Sequence, residues 1–243
     1  QVARSQFASL SGNLLVVFPL TILLAYGAFY FTGTHLIAPS DTGTTLQDVS
    51  LNVKNIWFAG VAGFLLFISG IISGYFDNLV VYKKIPARMM AHPGLQKKLG
   101  TKWNTKIAQY IDKNLGALMG NILLGFGLGF MIFFGKIFGI PFDIRHVTIS
   151  TGFFGFGLVS LDFQLSLSTW FWCFLGLAGI AFTNLAVSFA LALYVAFKSR
   201  RIPTTQIWQL MVLTGKYFLH FPSHFFFPPS RQKEPPTAGL PKR

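Results

Sequence analysis

Four stretches of this chain are long, uncharged and apolar, and their length constrains everything else. They are residues 13–34, "NLLVVFPLTILLAYGAFYFTGT"; 56–76, "IWFAGVAGFLLFISGIISGYF"; 114–135, "NLGALMGNILLGFGLGFMIFFG"; and 167–197, "LSTWFWCFLGLAGIAFTNLAVSFALALYVAF". A bilayer core about 30 Å thick is crossed by about 20 helical residues, and each run supplies them. With no water in that core, backbone polar groups must pair within their own segment, so the runs are helices. The fold class is therefore all-α, a polytopic integral membrane protein with about four transmembrane helices. Only 11% of the residues are charged, against about 25% in a soluble domain, so a globular enzyme is excluded as the class. The single cysteine, Cys173, lies inside the fourth run and has no intrachain disulfide partner.

Charge sets the orientation. Lys and Arg number 20 against 7 Asp and Glu, a formal net charge of +13. In a soluble protein this excess points to nucleic acid; beside membrane spans it points to cytoplasmic loops and anionic headgroups. Residues 77–113 carry Lys83, Lys84, Arg88, Lys97, Lys98, Lys102, Lys106 and Lys113, opposed by Asp77 and Asp112. The positive-inside rule places this basic loop in the cytoplasm, with loops 35–55 and 136–150 outside. "KSRR" at 198–201 then falls inside only if 147–164 does not cross. Four spans with both termini cytoplasmic follow, and 147–164 is a re-entrant or interfacial segment. Such backbone is tolerated only when buried in protein or lining a wet cavity.

Inside the basic loop, Leu95, Leu99, Trp103, Ile107, Tyr110 and Ile111 recur at helical spacing. This predicts a basic amphipathic helix on the membrane surface, with Lys97, Lys98, Lys102 and Lys106 as contacts to lipid headgroups or phosphate. A solvated helix packed on other protein competes with it. A second interfacial helix is predicted over 202–227, where Trp208 and Tyr217 sit, and a Pro-rich disordered tail over 228–243.

The polar residues near or inside the spans are the candidates for chemistry. Asp143, Arg145 and His146 form a cluster, either a proton or ion relay or a polar turn with Asp143 paired to Arg145; Pro141 supports the turn. Asp77 and Asn78 close the second span. Asn114, Asn121 and Asn184 are placed to hydrogen-bond between helices. Gly70 and Gly74, Gly116 and Gly120, and Gly125 and Gly129 are small-xxx-small pairs that predict close packing of spans two and three. His220 and His224 are four apart, but Pro222 breaks the helix that would align them on a metal. The chain has no phosphate-binding loop, H-E-x-x-H or nucleophile-elbow motif. No catalytic residue, cofactor or metal is expected, and nothing in the sequence sets an oligomeric state.

Three segments carry a resemblance: "SGYFDNLVVYKKIPARMMAHPGLQKKLG", "DKNLGALMGNILLGFGLGF" and "GIPFDIRHVTISTGFFGFGL". Together they resemble a bacterial family labelled site-specific recombinase, over about residues 5–200. The resemblance implies the bacterial inner membrane. It also implies a longer protein, with a large helical region before this part, and Gln1 at the start agrees with that. Tyrosine recombinases need a nucleophilic Tyr among Arg and His residues around a DNA phosphate, and "VTIS" after His146 lacks the Arg. Serine recombinases need a soluble domain. Three readings follow. The first is a membrane domain that anchors or couples a cytoplasmic N-terminal region or other subunits and holds anionic lipid. The second is a transporter or channel-like module. The third is a membrane-tethered DNA-binding protein.

Overall fold

The computed structural model describes residues 2–139 and 143–227. Pro141 and the tail 228–243 fall outside the described residues. The chain forms two units, one of residues Val17–Val195 and one that combines Gln1–Val16 with Ala196–Arg243. The helices are α1 (Val2–Thr32), α2 (Pro39–Val49), α3 (Val53–Tyr82), α4 (Ile85–Ala91), α5 (Pro93–Phe138), α6 (Val147–Ser160), α7 (Leu167–Ser199), α8 (Thr204–His220) and the single turn α9 (Ser223–Phe226). No strand occurs among the described residues. Four helical stretches are long and apolar enough to cross a membrane: Leu14–Thr32, Val53–Tyr82, Pro93–Phe138 and Leu167–Ser199. The outward surfaces of α3, α5 and α7 are themselves apolar, as Trp57, Phe64, Phe126, Phe130 and Phe182 illustrate.

In the larger unit, residues 35–55 contain the helix α2 where a polar loop is expected. Pro39 opens it, and Thr42, Leu46 and Val49 form its buried face. Asn52 then caps α3 by accepting the Asn55 N–H at 2.8 Å. The basic stretch is helical as predicted, but it is not a separate surface helix. It is the first half of α5, in which the one non-helical residue is Gly100 (φ 71, ψ 155). Nothing after Gly100 stops the helix, because the next proline is Pro141. From Thr101 to Phe138 it runs 38 residues, about 57 Å at the helical rise, almost twice a bilayer core. Its inward face there is Asn104 and Ala108, while Trp103 and Tyr110 are 63% and 58% exposed. The small residues win because α4 packs closely, with Asn104 Nδ2 donating to the Met89 carbonyl at 2.8 Å.

Helices α3 and α5 run antiparallel. Ser69 Oγ donates to the Gly120 carbonyl at 2.8 Å, and Gly116 faces Ser73 and Asp77. Ala62, Leu128 and Ile144 continue the contact as a buried cluster. The other two glycine pairs correct the prediction. Gly70 and Gly74, like Gly125 and Gly129, meet open space. One residue is a 100° turn of a helix, so Ser69 and Ser73 face the contact while Gly70 and Gly74 turn away.

The segment 147–164 folds as α6, only 14 residues long, about 21 Å and too short to cross. It is the most enclosed helix of the unit, with Phe154 and Leu158 fully buried. Gly152 and Gly155 approach Thr21 of α1, and Gly157 approaches Thr42 and Leu46 of α2. Phe154 stacks on Phe18 and meets Trp170 and Phe174 of α7 edge-on. Ile144 touches Ala62 and Leu128, and Leu128 lies ten residues, about 15 Å, back along α5 from its end at Phe138. The chain therefore turns back into the bundle after α5 and leaves again along α6. Residues 143–146 and α6 form a hairpin within the unit, with 143–146 as its extended inward limb and α6 as its helical outward limb.

In the smaller unit, the predicted interfacial segment 202–227 is α8 and α9, separated at Phe221 and Pro222. Trp208, Met211, Leu213 and Leu219 are exposed along α8. Tyr217 Oη and His224 Nδ1 share a hydrogen bond of 2.7 Å.

Candidate functional site

Arg145 ends the inward limb of the hairpin and is only 7% exposed. Its guanidinium is divided among three partners. Nε donates to Asn55 Oδ1 at 3.1 Å. Nη1 donates to Asp143 Oδ1 at 2.9 Å. Nη2 lies 2.6 Å from Asp48 Oδ1 and 2.5 Å from Asp143 Oδ2. Lys54 Nζ closes the outer side, 3.7 Å from Asp48 and 4.0 Å from Asp143. Two carboxylates, a guanidinium and an ammonium sum to zero formal charge. A buried arginine is tolerated on those terms, since an unmatched one would be neither solvated nor neutralised.

The partners are themselves held. Asn55 is fully buried, and its Nδ2 donates to the carbonyls of Gln47 and Ser50 at 2.9 and 2.7 Å. This fixes the corner between α2 and α3 that presents Asp48 and Lys54. Asp143 also accepts the Ile144 N–H at 2.9 Å. On the far side of the limb, Asn184 of α7 holds the main chain. Its Oδ1 accepts the Val147 N–H at 3.0 Å, and its Nδ2 donates to the carbonyls of Ala59 and Arg145 at 2.8 and 3.0 Å. The carboxamide thus ties α3, α7 and the start of α6 together. Asn184→Leu leaves the Val147 N–H and the Arg145 carbonyl unpaired in the interior and is expected to lower stability by about 2 kcal/mol, read as a lower melting temperature in detergent; Asn184→Gln, which keeps both groups, recovers part of the loss.

The predicted polar residues fare differently. Asp143 and Arg145 are in the knot. His146 is half-buried beside it, and its carbonyl accepts the Ser150 N–H at 2.9 Å at the start of α6. The Asp77 carboxylate lies against Gly116, and Asn78 is exposed. Asn114 bonds within its own helix, to the Tyr110 carbonyl at 2.9 Å, rather than between helices. Asn121 also departs from the prediction. It lines an outward groove of about 560 Å³ on α5 with Gly125, Phe126, Gly129 and Phe133, so neither it nor Asn114 bridges helices as Asn184 does. Lys97, Lys98, Lys102 and Lys106 are exposed, with Lys106 Nζ 5.2 Å from the Trp103 ring centroid. Asp48, Lys54 and Asn55 are the residues that sequence reasoning missed. The signal for them was the need of a buried arginine for acids, and Asp48 was one of few available.

This geometry is a lock. Nε and Nη1 of Arg145 donate to fixed oxygens, Nη2 is held by ion pairing to Asp48 and Asp143 without a hydrogen bond of its own, and the nearby hydroxyl of Thr151 is spent on the Val147 carbonyl at 2.8 Å. No curated protein matches this chain, and no solved structure matches it. One family does, described as "Site-specific recombinase", over residues 1–228. That match takes in both units, the arginine knot and the basic half of α5, and on it the chain belongs to the site-specific recombinase family.

Proposed function

We propose that the chain is an integral membrane anchoring and coupling domain, set in a bacterial inner membrane with both termini cytoplasmic. It carries a basic helical projection on the cytoplasmic side. One observation supports this most. The large apolar residues exposed on the membrane half of α5 run from Leu118 to Phe138, 21 residues or about 30 Å, one bilayer core. The basic residues from Lys83 to Lys113 all lie to one side of that belt. Further chain or partner subunits on the cytoplasmic side would be what it couples. A transport module is the second reading, favoured by a re-entrant reading of the hairpin; it needs a polar route between Arg145 and Asn121, and Asn121 faces an outward apolar groove. A membrane-tethered DNA-binding role remains the third, favoured by the family label.

The orientation is tested with single cysteines in a Cys173→Ser background and a membrane-impermeant maleimide. Thr44→Cys is expected to react in intact spheroplasts and Lys98→Cys only after permeabilisation. The reverse pattern overturns the topology, and loss of the protein from carbonate-washed membranes overturns the anchoring.

A further inference from the structure

The basic residues of residues 77–113 are not equivalent, and the α3–α5 register ranks them by height. Gly116 faces Ser73 and Asp77, and Gly120 faces Ser69 and Ser73. Continued along both helices, this antiparallel register brings Tyr82 level with Tyr110. Leu118 is the first large apolar residue exposed on the membrane half of α5, so it marks the edge of the hydrocarbon. Lys113 is five residues beyond it, about 8 Å, inside the headgroup layer. Tyr82, Lys83, Lys84 and Tyr110 follow at about 12 to 15 Å, within one Debye length, about 8 Å, of the headgroup surface. Lys102 is 16 residues beyond Leu118, about 24 Å, and Lys97 and Lys98 lie on the short segment before the break at Gly100, which joins Thr101 to a chain held level with Asn104 through Met89. A tilt as steep as about 40° shortens these heights by only about a quarter and keeps their order.

The lower group has the chemistry of a headgroup site. Tyr82 and Tyr110 are 80% and 58% exposed, and rings with one polar edge favour the interface. Lys83 Nζ lies 5.5 Å from the Tyr82 ring centroid. Lys84 and Lys113 are exposed at the same end of the α3–α5 pair. We infer that Lys83, Lys84 and Lys113, with Tyr82 and Tyr110, form a collar that binds the phosphates of anionic lipids, and that Lys97, Lys98 and Lys102 stand clear of the bilayer and take no part. This replaces the sequence-based choice of Lys97, Lys98, Lys102 and Lys106. The occupant follows from charge: three lysines gathered at headgroup height complement an anionic leaflet.

The inference rests on the membrane reading above, and the test separates the two. The full chain is reconstituted into phosphatidylcholine bilayers, and the relative association of spin-labelled phosphatidylglycerol and phosphatidylcholine is measured. The unaltered protein is expected to prefer phosphatidylglycerol, and the preference is expected to weaken between about 0.15 M and about 1 M salt. K83Q/K84Q/K113Q is expected to reduce the preference by about fivefold or more, and K97Q/K98Q/K102Q to leave it unchanged. These substitutions are all at exposed positions, so both variants fold. An inserted protein whose preference survives the first triple, or falls equally with the second, overturns the collar alone. A chain that does not insert overturns the membrane reading and the collar with it.

Discussion

Arg145→Ala is expected to lower the unfolding free energy of the detergent-solubilised protein by about 3 kcal/mol. It is also expected to expose the hairpin around residues 143–147 to proteolysis. The direction follows from what is left behind. Asp48 and Asp143 converge on the same guanidinium nitrogen, Nη2, and without it the two acids are left to the one exposed ammonium of Lys54. Their side chains are 44% and 31% exposed, so both rehydrate in part, which holds the loss to the lower end of what a broken buried pair costs. Arg145→Lys is no remedy, because an ammonium cannot reach Asn55, Asp143 and Asp48 together as the planar fork does. The informative control is D48N/D143N/R145M, which removes the guanidinium and both carboxylates and leaves only Lys54, 60% exposed. It should be more stable than Arg145→Ala alone, since one solvated ammonium costs less than two converging acids left to a single, distant cation. An Arg145→Ala protein that melts and digests like the parent would show that the hairpin is held by α6 packing and not by the knot.

What could be read from the sequence was what depends on local length and spacing. An uncharged run of about 20 residues has one solution in a bilayer, so the four spans were legible. The expectation that 147–164 does not cross came from the charges after the fourth run; the structure adds that its helix has 14 residues, fewer than a span needs. The pairing of Asp143 with Arg145 is a two-residue relation that any D-x-R turn suggests. The rest of the knot was not visible, because Asn55 and Asn184 reach the limb from 90 and 37 residues away. Helix α2 was missed for a different reason. Its buried face is only Thr42, Leu46 and Val49, too little apolar character to register against its polar residues. In α5 the apolar periodicity was real but pointed the wrong way, since close packing on α4 selected Asn104 and Ala108 over Trp103 and Tyr110. For the glycines the spacing was right in three pairs, yet only a register could tell which pair faced its neighbour.

That register makes the strongest contrast among substitutions. A Cβ at Gly176 would lie 2.0 Å from the Val49 carbonyl oxygen, 2.5 Å from the Ser50 carbonyl carbon and 2.6 Å from the Leu51 nitrogen. All three are main-chain atoms of the α2–α3 corner, so no side chain can rotate aside. Gly176→Ala must push that corner off α7, breaking the Leu51 N–H bond to the Trp172 carbonyl at 3.2 Å. It would also displace Asp48 and Asn55 from Arg145. A loss of about 3 kcal/mol is expected. Because the same corner carries the knot, Gly176→Ala and Arg145→Ala are expected to be clearly less than additive in a double-mutant cycle. Gly116→Ala should be milder, since the atoms nearest its Cβ belong to the movable Asp77 carboxylate, although the Ser73 carbonyl at 2.5 Å still opposes it. Gly125→Ala and Gly129→Ala meet nothing within 4 Å and should stabilise α5 by up to about 1 kcal/mol through helix propensity. Melting temperatures of the four variants in one detergent decide the matter. If Gly176→Ala melts with Gly125→Ala, the α2–α3 corner is not seated on α7, and the link it makes between α7 and the hairpin does not exist.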